Sequence, residues 1–258
     1  MSASESPLRL ERDGPIARLT LDRPHVLNAL DRALVEALIG AFEAIETEAE
    51  VRVVVLRGAG RAFCSGGDLK AFLSMDRATF AAFIDRLQVL ARSMRHCRVP
   101  IVGALHGHVL AGGLELAAAC DVRIAAEDAV FGLPDTSIGL PPTSGLSFLL
   151  PRIVGEGRAR ELLHVGEPID VHAAVAAGFV NRVVAPDQLD AEADRLARTI
   201  AEHPPDGVAR IRALLRGASD PEFERVLAEE AANEVAAFAT PEVRTRLQAF
   251  ADRRRPSS

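Results

Sequence analysis

The stretch HVLAGGLELAAACD (108–121) places one glutamate, Glu115, in a run of small and apolar residues directly after two glycines. It reads as a loop that passes into a helix at Gly112-Gly113. The first N–H groups of a helix have no intrahelical partner and form the positive end of its dipole, which suits an oxygen carrying developing negative charge. Glycines there also let the backbone approach a ligand without a Cβ in the way. A carboxylate taken out of water costs several kcal/mol or shifts its pKa. Glu115 is therefore either a first-turn acid that complements the dipole or a group with a chemical task.

Outward from this stretch, the chain alternates strands and helices. Residues 8–10 and 16–21 flank Asp13-Gly14-Pro15 and predict a β-hairpin. Asp31 is placed as an N-cap, and Leu34, Leu38, Phe42 and Ile45 recur at helical spacing up to about residue 48. Strands are expected over 52–57, 101–105, 121–125, 129–131 and 180–184, and helices over 76–95, 156–164 and 171–177. Beyond Pro186 the pattern is wholly helical, with breaks at Pro204-Pro205 and Pro221. This order predicts an α/β body followed by a helical C-terminal region.

The composition narrows the function. The 258 residues are 48% hydrophobic and 26% charged, and the formal net charge is −6, which argues against nucleic acid or an anionic membrane as partner. No run approaches the ~20 apolar residues of a membrane span. The opening MSASESPLRL lacks the basic and apolar regions of a signal peptide. Cys64, Cys97 and Cys120 form no CxxC pair, which disfavours zinc and points to a reducing compartment; the expected location is cytoplasmic. The chain has no Tyr and no Trp, so no phenol or indole can act within the subunit.

A second glycine loop, AFCSGGDLK (62–70), follows one expected strand. It matches neither GxxxxGK[ST] nor GxGxxG, so a phosphate cradle and a plain tight turn both remain open. Cys64 as a nucleophile would need a nearby base, and Ser65 lacks a GxSxG context. His106 and His108 titrate near neutrality but read as loop-packing or exposed histidines. Asp68 reads as fixing its own loop through backbone hydrogen bonds.

Taken together, AFCSGGDLK, VLAGGLELAAACD (109–121) and AVFGLPDTSIGLPP (129–142) closely resemble the crotonase, or enoyl-CoA hydratase/isomerase, superfamily. RPHVLNALD (23–31) and GEPIDVHAAVAAGFVNRVV (166–184) resemble it too, in the same order. The resemblance implies a spiral of ββα units over residues 1–195 and a helical oligomerisation region over 196–258. It also implies a homotrimer or dimer of trimers, and a fatty-acyl or other acyl thioester of coenzyme A as substrate. Coenzyme A enters with the substrate, and no separate cofactor or metal is expected.

By the same resemblance, the oxyanion-hole donors are the backbone N–H groups of Gly67 and Gly112. Removing one such donor typically costs ~100- to 1000-fold in rate. The resemblance places Gly67, Asp68, Leu69 and Lys70, the only lysine, along the path of the bound thioester, with Lys70 a candidate partner for a coenzyme A phosphate and Val26 and Leu27 offering backbone atoms to the adenine. Arg23, His25, Arg61 and Arg212 are candidate phosphate partners that also read as solvated surface charges. The two catalytic acids of the hydratases fall on Glu115, which takes a proton from water as it attacks Cβ, and Asp135, which protonates Cα.

Asp135 is a departure, because the hydratases carry Glu there. The shorter side chain withdraws the carboxyl by roughly 1.5 Å, and a misplacement of ~1 Å can cost ~100-fold. One carboxylate suffices to move a proton between two carbons, so a Δ3,Δ2-enoyl-CoA isomerase is the alternative enzyme. A non-catalytic acyl-CoA-binding scaffold is the alternative of another class. Ala111 stands where the family often has a third glycine, and PTSGLS (142–147) replaces a PGAGGT-like turn. Both bear on which acyl chain is accepted.

Overall fold

A computed structural model describes residues 6–217 and 220–253, so half of the opening segment read for a leader lies outside it. The hairpin forms as β1 (Leu8–Asp13) and β2 (Ile16–Leu21), turning at Gly14. Next come α1 (Arg32–Thr47), β3 (Val53–Gly58), the short α2 (Leu69–Ser74), α3 (Arg77–His96), β4 (Ile101–Leu105), β5 (His108–Leu110) and α4 (Gly112–Ala119). The body continues through β6 (Val122–Ala126), β7 (Val130–Gly132), α5 (Leu146–Val154), α6 (Glu156–Val165), β8 (Ile169–Asp170), α7 (Val171–Ala176) and β9 (Arg182–Val184). Four helices follow: α8 (Leu189–Glu202), α9 (Pro205–Arg216), α10 (Pro221–Phe238) and α11 (Pro241–Arg253).

Aspartate side chains start five of these helices by accepting from a backbone N–H three residues on: Asp31, Asp68, Asp76, Asp170 and Asp220. Each satisfies a donor that the helix cannot. The larger sheet has the order β1-β2-β3-β4-β6-β9 and is parallel from β2 onward. A smaller sheet has the order β5-β7-β8. Successive windings place one strand in each sheet, β4 then β5 and β6 then β7, which is the expected spiral.

Both faces of the larger sheet are covered, so β3 and β4 read as continuous apolar runs. Val53, Val55, Val102 and Ala104 pack against Leu189, Ala193 and Ala197 of α8. Val54, Leu56 and Ile101 belong to the main core with α1 and α3. The expected division between residues 195 and 196 lies inside α8, a single continuous helix.

Four elements were not evident in the sequence: the short α2 and β8, and two more with a clear cause. Helix α5 contains Pro151, which lacks a backbone N–H and masks the helical pattern. Strand β5 is only three residues long and was read as loop. It matters because it joins Leu110 to the first turn of α4 and pairs with β7, which leads to Asp135.

Candidate active site

The two glycine loops abut. Cys64 N–H donates to the His108 carbonyl and Leu110 N–H to the Cys64 carbonyl, at 3.0 and 3.1 Å. A Cβ added to Gly66 would lie 3.4 Å from the Gly112 nitrogen. Among the described residues, neither Gly67 nor Gly112 donates its N–H to a partner in the chain. Ala111 turns the chain into α4 with φ +52°, a conformation costly for a residue with a Cβ. Its N–H donates to Gly132 and its carbonyl accepts from Glu115, which fixes the direction of the Gly112 amide.

The close approach depends on Gly113. A Cβ there would collide with the Cys64 carbonyl oxygen and lie 2.9 Å from the carbonyl carbon. Backbone cannot swing aside as a side chain can. Gly113→Ala is expected to force the loops apart and lower turnover by roughly 100-fold, with about 1–3 kcal/mol of stability lost. Gly157→Ala, where a Cβ meets nothing within 4 Å, is the control for kcat and Tm. Equal behaviour of the two variants would show that the approach does not matter.

Glu115 is 5% exposed. Its carboxylate accepts from Thr143 N–H at 2.7 Å and from Thr143 Oγ1 at 3.0 and 2.9 Å. Burial raises its pKa, and these bonds pull the other way. Asp135 sits in the Pro134–Ile138 turn, which the Thr136 hydroxyl pins by donating to the Leu163 carbonyl at 2.8 Å. Removal from water, then the Glu115 charge, raises the Asp135 carboxyl to about 7. The acids thus differ in surroundings: Thr143 donates to Glu115 and favours its charged form against the burial, whereas Asp135 has no such bond among the described residues and is raised to about 7.

Val26, Leu27, Gly67, Asp68, Leu69, Lys70 and Asp135 line one cleft of about 690 Å³. His25, Arg61 and His108 border it, and Phe250 and Ala251 of α11 close one side. Gly112 and Glu115 lie behind, on a pocket of about 10 Å³ with Leu30, Leu87 and Met94. A Leu30 methyl covers Gly112, and the Phe72 ring covers Gly67.

Several sequence candidates take other roles. Arg212 is neither a phosphate partner nor a solvated charge: it is buried and donates to Asp121 and to the carbonyls of Met94, Arg95 and Cys97 at the end of α3. Arg23 is engaged by Asp31 and Asp68. Cys64 is buried, which pushes its thiol up to about 12 and removes it as a nucleophile. His106 bonds to the Gly60 carbonyl. Asp68 accepts from Ala71 N–H and fixes its loop, as its residue type suggested. Among the described residues no group of three or more His, Cys, Asp or Glu is placed to hold a metal ion, and no helix is long and apolar enough to cross a membrane.

Sequence reasoning passed over Thr143, Glu230 and Glu234. Glu230 on α10 accepts from the N–H groups of Gly145 and Ser147 and from the Ser147 hydroxyl, holding the loop that presents Thr143. Its signal was available: Glu230 and Glu234 interrupt the apolar stripe Phe223, Leu227 and Phe238, just as Glu115 interrupts its own run.

Burial raises Glu230 to about 7 and Glu234 well above the usual carboxylate range. Asp135 and Glu230 therefore keep protons in the folded chain that they release on unfolding between about pH 4 and 7. This contribution, full below the unfolded values, is lost as pH rises through about 7, at about 1.4 kcal/mol per pH unit per group. Tm is expected to fall by roughly 5–10 °C from pH 5.5 to 7.5. Glu192, held near 2 by Arg195 and Arg182, titrates below this window. A flat or rising Tm would contradict the account.

The sequence pattern of the enoyl-CoA hydratase/isomerase family matches residues 11–257. The chain is 36% identical to a probable enoyl-CoA hydratase of Bacillus subtilis (strain 168), over 96% of this chain and 97% of that protein. It is 30% identical to a short-chain-enoyl-CoA hydratase of Clostridium acetobutylicum, over 95% of each. The crystal structure of an enoyl-CoA hydratase/isomerase from Xanthobacter autotrophicus Py2 superposes with a TM-score of 0.85 at 34% identity, covering 98% of this chain and 100% of that one. Adjoining glycine amides on a two-sheet spiral and a match over nearly the whole length lead to one assignment: this chain belongs to the enoyl-CoA hydratase/isomerase family, within the crotonase superfamily.

Proposed function

We propose that this chain is an enoyl-CoA hydratase that adds water across the double bond of a 2-enoyl-CoA thioester. The observation that carries the reading is a pair of buried acids, one bonded by Thr143 and one without a hydrogen bond among the described residues, in a chain whose Gly67 and Gly112 amides have no partner there. The Gly67 and Gly112 N–H groups receive the thioester oxygen and stabilise the enolate that forms when Cβ is attacked. Glu115, whose carboxylate is held by Thr143, takes the proton from the attacking water. Asp135, whose side chain accepts no hydrogen bond among the described residues, delivers its proton to Cα.

The coenzyme A portion lies in the cleft along Val26, Leu27 and Asp68 to Lys70, with Lys70, Arg61 and His25 at its border for the phosphates. Coenzyme A arrives with the substrate, and neither a separate cofactor nor a metal takes part. A cytoplasmic location fits three unpaired thiols. A homotrimer or dimer of trimers accounts for Leu214 and Leu215 on α9, exposed at 80% and 83%.

Incubation with crotonyl-CoA and with a 3-enoyl-CoA tests the assignment by product mass. Hydration adds one water to crotonyl-CoA. A 3-enoyl-CoA converted at unchanged mass, with crotonyl-CoA left intact, would make the chain an isomerase. Tight coenzyme A binding without turnover of either would make it a scaffold.

A further inference from the structure

Leu30 and Gly67 lie opposite each other in an isolated parallel bridge. Leu30 N–H donates to the Gly66 carbonyl at 2.7 Å, and Asp68 N–H donates to the Leu30 carbonyl at 2.9 Å. The Gly66 carbonyl and the Gly67 N–H belong to one planar trans peptide, in which they point in opposite directions. With that carbonyl tied to Leu30, the Gly67 N–H is turned away from residue 30. Among the described residues it has no partner in the chain, and Gly67 borders the cleft.

One side chain grips both strands of this bridge. The Arg23 guanidinium donates to the Ala29 carbonyl, one residue before Leu30, and pairs with Asp31, one residue after it, at 2.9 Å. Its Nη2 also reaches Asp68, one residue after Gly67, at 3.3 Å. Both carboxylates start helices as well, Asp31 by accepting from Leu34 N–H and Asp68 from Ala71 N–H. The second of these helices, α2, carries the Phe72 ring that lies over Gly67.

Arg23 is itself fixed in place. Its N–H donates to the Asn28 amide oxygen at 2.9 Å, and Asn28 Nδ2 donates to the carbonyls of Ala59 and Ala62. The Arg23 side chain is 15% exposed, and among the described residues it is not one that lines the cleft. A planar fork of donors suits three acceptors at fixed positions, whereas a lysine ammonium on a flexible stem is a single point of charge.

We propose that Arg23 is a positioning residue: it aligns the Gly67 N–H for the thioester oxygen by clamping the Leu30–Gly67 bridge, without touching coenzyme A. This rests on the hydratase reading, in which that N–H is one of two donors to the enolate. Removing the guanidinium frees the 65–68 loop from residues 29–31 and leaves two like charges close together.

Arg23→Gln is expected to lower kcat for crotonyl-CoA by roughly 30- to 100-fold, because a donor displaced by ~1 Å loses most of its effect. Kd for free coenzyme A should not change. Arg23→Lys, which keeps the charge but not the fork, should give an intermediate kcat. Arg18→Gln is the control. Arg18 pairs with Asp13 and Asp194 at 2.8 and 2.9 Å, and among the described residues none of the three lines the cleft, so this variant should lower Tm but not kcat.

The alignment itself is read by infrared spectroscopy with butyryl-CoA, isotopically labelled at the thioester carbonyl and too saturated to be hydrated. Bound to the natural chain, its carbonyl stretch should lie below the solution value, because a donated hydrogen bond polarises the C=O. In Arg23→Gln it should move back toward the solution value. Asp68→Asn keeps the oxygen that starts α2 but removes the charge that Arg23 grips, so it should shift the stretch in the same direction even if Arg23→Gln does not fold. The double variant should be no slower than Arg23→Gln, since both break one link.

An Arg23→Gln enzyme with near-natural kcat, or one that loses kcat with the bound carbonyl stretch unmoved, would overturn the role. A loss of coenzyme A affinity accounting for the whole effect would make Arg23 a phosphate partner instead. An equal kcat loss in Arg18→Gln would reduce it to general stability. Failure to hydrate any enoyl-CoA would overturn the hydratase reading, while the butyryl-CoA stretch would still decide whether Arg23 aligns the Gly67 N–H.

Discussion

Glu115→Gln is expected to lower the rate of crotonyl-CoA hydration by roughly 1000-fold while acyl-CoA binding persists. The substitution removes the group that accepts the proton of water but preserves the shape of the side chain. The amide oxygen can still accept from Thr143 N–H, which now donates to the carboxylate at 2.7 Å. The amide nitrogen can donate to the Thr143 hydroxyl, which lies 2.9 Å from Glu115 Oε2. The loop and the oxyanion donors therefore keep their places. Burial also penalises the charge at Glu115, so the uncharged variant should not lose Tm. Measurement of kcat, of acyl-CoA Kd by calorimetry and of Tm separates these effects. A Glu115→Gln protein with near-normal kcat would remove Glu115 as the base.

The second large effect concerns Asp135. Its carboxyl, raised to about 7 by removal from water and then by Glu115, must be protonated to deliver a proton to Cα. Hydration by the natural chain is expected to fall as pH rises above about 7, approaching tenfold per unit, because only the protonated fraction reacts. Asp135→Asn has no proton to give, so hydration should drop by roughly 100- to 1000-fold and the alkaline limb at about 7 should vanish. Isomerisation of a 3-enoyl-CoA, which a single carboxylate can carry, should be hurt less. A pH profile flat from 6 to 9, or an Asp135→Asn enzyme close to natural activity, would place the acid elsewhere. The one-methylene shortening relative to the hydratases does not alter this logic. What counts is a carboxyl on the anchored Pro134–Ile138 turn that accepts no side-chain hydrogen bond favouring its charged form.

Much of the architecture was readable because it follows from local pattern. The apolar runs at 53–56 and 101–105 can only be strands covered on both faces, and Leu34, Leu38, Phe42 and Ile45 trace one helix stripe. Helix α5 escaped because Pro151 breaks the local rule, while tertiary packing of Leu146, Phe148, Leu149 and Leu150 sustains the helix. Most positions named from the motifs share one cleft, from Val26 to Asp135. Gly112 and Glu115 stand in a separate small pocket behind Leu30, a partition set by side-chain packing rather than by sequence spacing. Arg212 shows the opposite failure. As a sequence position it is a free cation, yet in the fold it closes the end of α3 by donating to three carbonyls.

The sequence by itself determined the alternation of strands and helices, the two glycine turns and the two acids, because these depend on residue type and short spacing. Only the tertiary structure decided how the surroundings of the two acids differ, what supports Thr143, and that α10 brings Glu230 against a loop more than 80 residues away in the chain. Burial and mutual charge are properties of the packed whole, and they vary with distances that no stretch of sequence encodes.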